Sequence, residues 1–487
     1  MRKFFVSYRL ILRYIAIRGL LFFCSIFIYV FISILYLFIS PTIYRPLSAQ
    51  GTLLAWSTPQ RIVQVDGTIN DLVVLGDAAG VVHVFFTELP QSGEDIGIEY
   101  MKLDKGKWSE PNTIMLESTT APIRSLRVVI DKSQILHLLW VDQEQIYYSS
   151  ASAATAGSAQ AWSAPQVITQ ASTADILTSE NGEIVVAGVD VDTTSLSLVR
   201  SSDGGRTWAR GQIIAFCAMG STAAYPRLAR DGIGRLHLVW SEGEAPLCEP
   251  FTGVYYTRSL DDGATWEPPR KVDGMRHGEI GITAVGEDDI HLVWRSNIGG
   301  DGTFHQWSCD GGATWSTASQ YEDNGGMSGL PSFVVDTAGW LHYVLGAVKY
   351  AFWDGADLSS YEDIATQTVR DSAAKSVELG TLAISSGNQL HALFEVDFQE
   401  IWYTTRLLDV PAQTPVAQST PTAAATVART PTAQTTPTEA WLAEDTSSNS
   451  TEQSIESTSA RGLVRGAIAG AIVVVVVLAI SLYRRRG

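Results

Sequence analysis

The sequence predicts an all-β fold, a β-propeller of four-stranded blades, and three observations carry that expectation. An apolar, strand-like run centred on histidine returns about every 50 residues. It reads GVVHVFF at His83, QILHLLW at His137, GRLHLVW at His237, DIHLVW at His291, GWLHYVL at His342 and NQLHALF at His391. An octet of the form Ser-x-Asp-x-Gly-x-Thr-Trp recurs in register with it, as SSDGGRTW (Ser201–Trp208), SLDDGATW (Ser259–Trp266) and SCDGGATW (Ser308–Trp315). Each unit also holds four short runs rich in β-branched and aromatic residues, with Gly and Asp between them, which is the content of a propeller blade.

Taken in order, residues 1–46 come first. Arg2, Lys3, Arg9, Arg13 and Arg18 precede an uncharged apolar run, Leu20–Ile39, long enough to span a bilayer as a helix. The basic excess places the N-terminus in the cytoplasm and sends the following chain outward. The run is longer than a signal-peptide core, so an uncleaved anchor is expected, with Ala49 in PLSAQ as the alternative cleavage point.

Residues 47–410 form the propeller. The fourth unit shows its parts: PRLARD, RLHLVWSE, GVYYTRS and WEPPRKV, joined by the turns GIG and LDDGAT. One slot, NGEIVVAG around Val185, lacks the histidine; filling it gives seven blades, the favoured count, with six as the alternative. The last unit ends at IWYTTRLL without a fourth strand, whereas WSTPQRIV at Trp56 precedes the first. The N-terminal strand is therefore expected to complete the last blade and remove the open sheet edge.

Residues 411–461 are a Thr/Pro/Ser-rich linker (TPVAQSTPTAAATVARTPTAQTTPTEAW), too poor in large apolar residues to build a core. Asn449 in NST matches a glycosylation acceptor. Residues 462–483 hold a second apolar run, Gly466–Tyr483, and Arg484, Arg485 and Arg486 in the 484–487 tail mark the cytoplasmic side. The expected location is the cell membrane, with the propeller extracellular and both termini cytoplasmic if the first helix is retained.

The net charge of −17 makes nucleic acid a poor partner. Of four cysteines only three fall outside the first apolar run, too few for a disulfide scaffold, so the fold must stand on its own core.

In each octet the Asp can accept hydrogen bonds from its own turn, the fifth-position Gly can take a positive φ, and the Trp can cover the blade's apolar layer. Asp203, Trp208, Asp261, Trp266, Asp310 and Trp315 are accordingly read as structural. The degenerate copy LDKGKW keeps Asp104 and Trp108 while losing the rest, as a turn can and an active site cannot. The repeat histidines are read the same way, because one ligand per blade cannot converge on a metal at about 2 Å. His277 and His305 stand outside the pattern. No metal or cofactor is expected.

The octet resembles the Asp-box, or bacterial neuraminidase repeat, of sialidases and many other Asp-box propellers. The resemblance covers about residues 50–410 and implies the fold; the motif is shared by proteins with other activities or none. A sialidase of this superfamily would need three arginines on the substrate carboxylate, a Tyr–Glu nucleophile pair and an Asp acid/base. The family's Arg-Ile-Pro motif is missing here, the nearest strings being APIRSL at Arg124 and YPRL at Arg227.

The octets lie on third-to-fourth-strand turns and so mark the bottom face. Function is expected on the opposite face, where the loops of blades four to six are long. Tyr225, Arg227, Arg276, Glu279 and Arg295 are the candidate ligand-binding residues there, and Glu242, Tyr321 and Asp301 the candidate catalytic ones. Cys217 and Cys248 both fall on the top face of blade four and are expected to pair if their Cα atoms come within about 7 Å; Cys309 is then a small buried residue. The reading is a membrane-anchored extracellular propeller that binds a glycan or protein ligand, with an exo-sialidase or other glycoside hydrolase as the alternative.

Overall fold

The computed structural model describes residues 54–412 outside the segments 92–94, 118–122, 192–194, 210, 216–220, 245–250, 274–279, 297–301, 322–330, 346–347, 356–357, 366–368 and 370–375. All of them belong to the first of two units, Met1–Pro421 and Thr422–Gly487. Both apolar terminal runs, most of the linker, Cys217 and Cys248 lie outside the described residues. Among the described residues no helix is long and apolar enough to cross a membrane.

The strands form seven antiparallel sheets, one per sequence unit. Blade one spans 68–117, two 124–170, three 174–215, four 221–273, five 280–321 and six 332–363. Blade seven takes its three inner strands from 377–407 and its outer strand from Gln60–Gln64. That closing strand runs antiparallel to Glu400–Leu407, with Gln60 opposite Tyr403 and Gln64 opposite Glu400. The unit without a histidine is a complete blade, Ala174–Thr178, Ile184–Val189, Leu196–Ser201 and Gln212–Ala215. The count is therefore seven.

First strands of consecutive blades are neighbours all the way round and enclose an axial channel. Apolar burial falls between blades, in seven clusters that each join two consecutive blades. The tryptophans three residues after His137, His237 and His291 explain the H-x-x-W pattern. Trp140, Trp240 and Trp294 are enclosed and stack on Tyr147, Tyr255 and Phe304 at centroid distances of 5.5, 5.9 and 5.8 Å.

The octets fold as turns between third and fourth strands. Asp310 Oδ1 accepts the Ser308 hydroxyl (2.7 Å) and the Thr314 N–H (2.8 Å), and Oδ2 accepts the Thr314 hydroxyl (2.6 Å). Asp203 and Asp261 repeat this set. These bonds, led by the threonine hydroxyls, hold the Asp203 and Asp261 carboxyls down to a pKa of about 2. All three carboxylates are thus fully engaged as turn acceptors.

The repeat histidines belong to the same scaffold. His83, His137, His237 and His342 each place Nε2 3.2–3.4 Å from an aspartate in the preceding turn, Asp77, Asp131, Asp231 and Asp336. An ionised carboxylate only accepts, so in His83, His237 and His342 Nε2 carries the proton and Nδ1 accepts the hydroxyl of Tyr100, Tyr256 or Tyr350 at 2.8 Å, while His137 Nδ1 lies 2.7 Å from the Tyr148 hydroxyl, which donates to the Gly204 carbonyl. Burial holds His137 and His237 below the ordinary imidazole value against the pull of Asp131 and Asp231. The tyrosine then meets the next blade: Trp208 packs edge-on to Tyr148 at 5.1 Å and Trp315 to Tyr256 at 4.9 Å. Trp208 and Trp315 thus cover the neighbouring blade's relay, whereas Trp266 packs on the apolar cluster between blade four and the histidine-less blade three.

Two expectations are corrected. His305 is not outside the pattern, because it occupies the tyrosine's place in blade five, buried, with Nε2 2.9 Å from His291 Nδ1. Cys309 is exposed, since the second octet position points away from the turn that Ser308 and Asp310 close.

Candidate functional site: the axial channel

The channel wall follows from one register position. The residue ten before each repeat histidine, or before Val185 in blade three, is Val73, Arg127, Asp175, Arg227, Gly281, Ser332 or Thr381. Five of these line a cavity of about 550 Å³ on the propeller axis. The other two are covered: Asp175 is taken up by its neighbours, and the space beside Gly281 is filled by Phe333 and Pro331 of blade six. In blades one, two, four and seven a β-bulge inserts residues just before this level, between Ile69/Leu72, Arg124/Arg127, Ala224/Arg227 and Glu378/Thr381. Ser125 and Tyr225 in these bulges adopt positive φ of 53° and 52°.

The wall is polar on the side of blades one to four. Arg127 Nε lies 3.3 Å from Asp175 Oδ1 and its Nη1 donates to the Leu126 carbonyl, while Asp175 Oδ2 accepts the Leu228 N–H at 2.8 Å. Arg127 and Asp175 therefore neutralise each other. Arg227 is buried, 9% exposed; its Nη1 donates to the Pro226 carbonyl at 2.7 Å, and its Nη2 has no hydrogen-bond partner among the described residues. Burial, reinforced by repulsion from Arg127, brings the Arg227 pKa down to about 9 despite Asp175, Tyr225 and Asp71 nearby. Burial raises Asp71 to about 6 against the attraction of Arg127 and Arg227.

The other side is apolar. Leu72, Val73, Leu75, Phe333, Val334 and Ile384 line the cavity and are only half-buried. Ser332 and Thr381 add hydroxyls 3.3 Å apart, and Ser332 Oγ accepts the Leu382 N–H.

Of the residues singled out in the sequence, Tyr225 and Arg227 come together here. Arg227 stands on the first strand of blade four, facing the channel rather than a top-face loop. Tyr225, 39% exposed, has its N–H on Thr173 Oγ1. Glu242 sits apart at the end of blade four's second strand, buried, with Oε1 accepting the Trp240 indole N–H at 3.1 Å. Arg276, Glu279 and Asp301, and the side chains of Arg295 and Tyr321, lie outside the described residues. Sequence reading passed over Asp71, Arg127 and Asp175; the spacing of ten before the repeat histidine would have exposed the two at ring positions. Among the described residues no group of His, Cys, Asp and Glu could hold a metal ion.

No family model matches the chain, and no curated protein matches it. Solved structures do. A protein of unknown function from Dyadobacter fermentans is 12% identical with a TM-score of 0.47, over 73% of this chain and 99% of its own. A PL25 polysaccharide lyase, an ulvan lyase, is 11% identical with a TM-score of 0.48, over 71% of this chain and 95% of its own. The NanB sialidase of Streptococcus pneumoniae is 14% identical with a TM-score of 0.39, over 74% of this chain and 71% of its own. At these identities and scores the likeness says nothing of the chemistry in this channel.

Proposed function

We propose that the chain is a membrane-anchored extracellular binding propeller whose glycan or protein ligand presents an acidic group to Arg227, with the top-face loops of blades four to six holding the rest. The observation that carries this reading is the Arg227 guanidinium. It is buried on a cavity wall and forms no ion pair among the described residues, whereas Arg127 beside it is neutralised by Asp175. A buried cation is costly without an anion, and a guanidinium offers a carboxylate a directional clamp. The test is binding of the purified chain to arrays of acidic glycans and acidic peptides, wild type beside Arg227→Met. A tenfold loss in the variant at unchanged melting temperature supports the reading; equal binding by both overturns it. Anchoring at both ends is tested by membrane fractionation, where release by high salt or carbonate would refute it.

A catalytic reading, sialidase or another glycoside hydrolase, draws on Tyr225, Arg227 and Asp71 standing near one another. Against it, the Glu242 carboxylate is occupied by Trp240. Release of a fluorescent aglycone from a sialoside or glycoside panel, lost in Arg227→Met, would establish catalysis; a flat panel leaves the binding module.

A further inference from the structure

From the two-sided wall of the axial cavity we infer that its ligand is a monocarboxylate with an apolar body, rather than a polyhydroxylated sugar acid. This rests on the acidic-ligand reading and narrows it.

A sugar acid needs polar partners on most of its edges, because each hydroxyl desolvated without one is a loss. Here the charged groups, Asp71, Arg127, Asp175 and Arg227, are confined to one arc, and among the described residues the other arc adds only the hydroxyls of Ser332 and Thr381. Arg127 and Asp175 satisfy each other, and Ser332 is bonded to the blade-seven backbone. The facing arc offers six half-buried apolar side chains from blades one, six and seven, including Phe333. The cavity's 550 Å³ falls within the range of small-molecule sites, roughly 300–1,000 Å³. The Arg227 guanidinium, which forms no ion pair among the described residues and, with Asp175 taken up by Arg127, has Asp71 as its nearby rival anion, stands opposite an apolar wall and so matches a molecule with one charged end. An aliphatic acid fits that description, and so does a chain ending in leucine, whose terminal carboxylate and last side chain have the same chemistry.

The experiment is isothermal titration of the full-length protein in detergent with octanoate, octanamide, glucuronate and the tripeptide N-acetyl-Ala-Ala-Leu. Octanoate or the tripeptide should bind at least tenfold more tightly than octanamide and glucuronate, and whichever is tighter identifies the source of the carboxylate. In Arg227→Met the preference for octanoate over octanamide should vanish. The wild-type octanoate and octanamide arms decide the matter even if that variant fails to fold. Binding of glucuronate alone, lost in Arg227→Met, overturns this inference and leaves the acidic-ligand reading standing. Equal binding of octanoate and octanamide, or no binding by any compound, overturns this inference alone, and the acidic-ligand reading is then decided by the array comparison of wild type with Arg227→Met.

Discussion

Two buried carboxyl groups show how position within a blade sets the chemistry of a residue. Glu395, 1% exposed on the second strand of blade seven, stands opposite Glu378 in the ladder. Burial first, and then repulsion from Glu378, raises it to about 8. Because its folded pKa exceeds the unfolded value, it adds stability below about pH 4.5, and that stability is lost as pH rises through 8. Glu395→Gln should therefore gain about 1–3 kcal/mol at pH 9 and nothing at pH 4, read from urea melts at the two pH values. Asp71, raised to about 6 in the channel, is an internal rival for any ligand anion. Protonating it removes a negative charge near Arg227, so carboxylate affinity should rise as pH falls through 6. Asp71→Asn should flatten that profile in titrations between pH 5 and 8. The direction of both shifts depends on enclosure by other blades, which neighbouring letters in the sequence do not reveal.

At the scale of the element, the octet is where local and tertiary causes meet. The turn itself is local, because Ser308, Asp310 and Thr314 bond within their own eight residues. The fifth-position glycine has a second reason beyond its φ of +83°. A Cβ on Gly312 would meet the Tyr256 hydroxyl of the preceding blade, and one on Gly205 the Tyr148 hydroxyl. Gly312→Ala should cost about 2–3 kcal/mol. Asp310→Asn, which keeps one acceptor oxygen, should cost about 1 kcal/mol. Both should leave ligand binding intact, and thermal melts with titrations on the same samples check the pair. The octet's spelling revealed the turn, but the inter-blade tyrosine contact was hidden because Tyr256 lies more than fifty residues away from Gly312.

At the scale of the whole molecule, stability rests on seven joints, and these are unequal. Among the described residues the joint between blades five and six has the smallest buried cluster, Val293, Tyr343, Leu345 and Ala351. Blade five also replaces the Asp–His–Tyr relay with the His291–His305 pair, and burial lowers His305 to about 4. A base with a depressed folded pKa stabilises fully above its unfolded value of about 6.5 and loses that contribution as pH falls towards 4. Burial lowers His391 in blade seven to about 4 as well, so hydrogen exchange at pH 5 should show blades five and seven losing protection, with the lean joint between five and six opening first. Closure is the other global feature. Trp56 lies edge-on to Tyr350 at 5.2 Å, with the Arg406 guanidinium 4.6 Å from its ring. Trp56→Ala should cost about 3 kcal/mol and expose the edge of Glu400–Leu407, with self-association in sedimentation as the readout.

The period, the seven blades of four strands and the closing strand before the first unit were all legible in the sequence. Those features are local or strictly repeated, so each copy corroborates the next. The fold alone revealed that His305 stands in for a tyrosine and that Arg227 faces a channel in which Arg127 is already neutralised. A repeat fixes where a residue sits within its own blade, whereas charge balance at the axis depends on residues far apart in the chain that meet only when the ring closes.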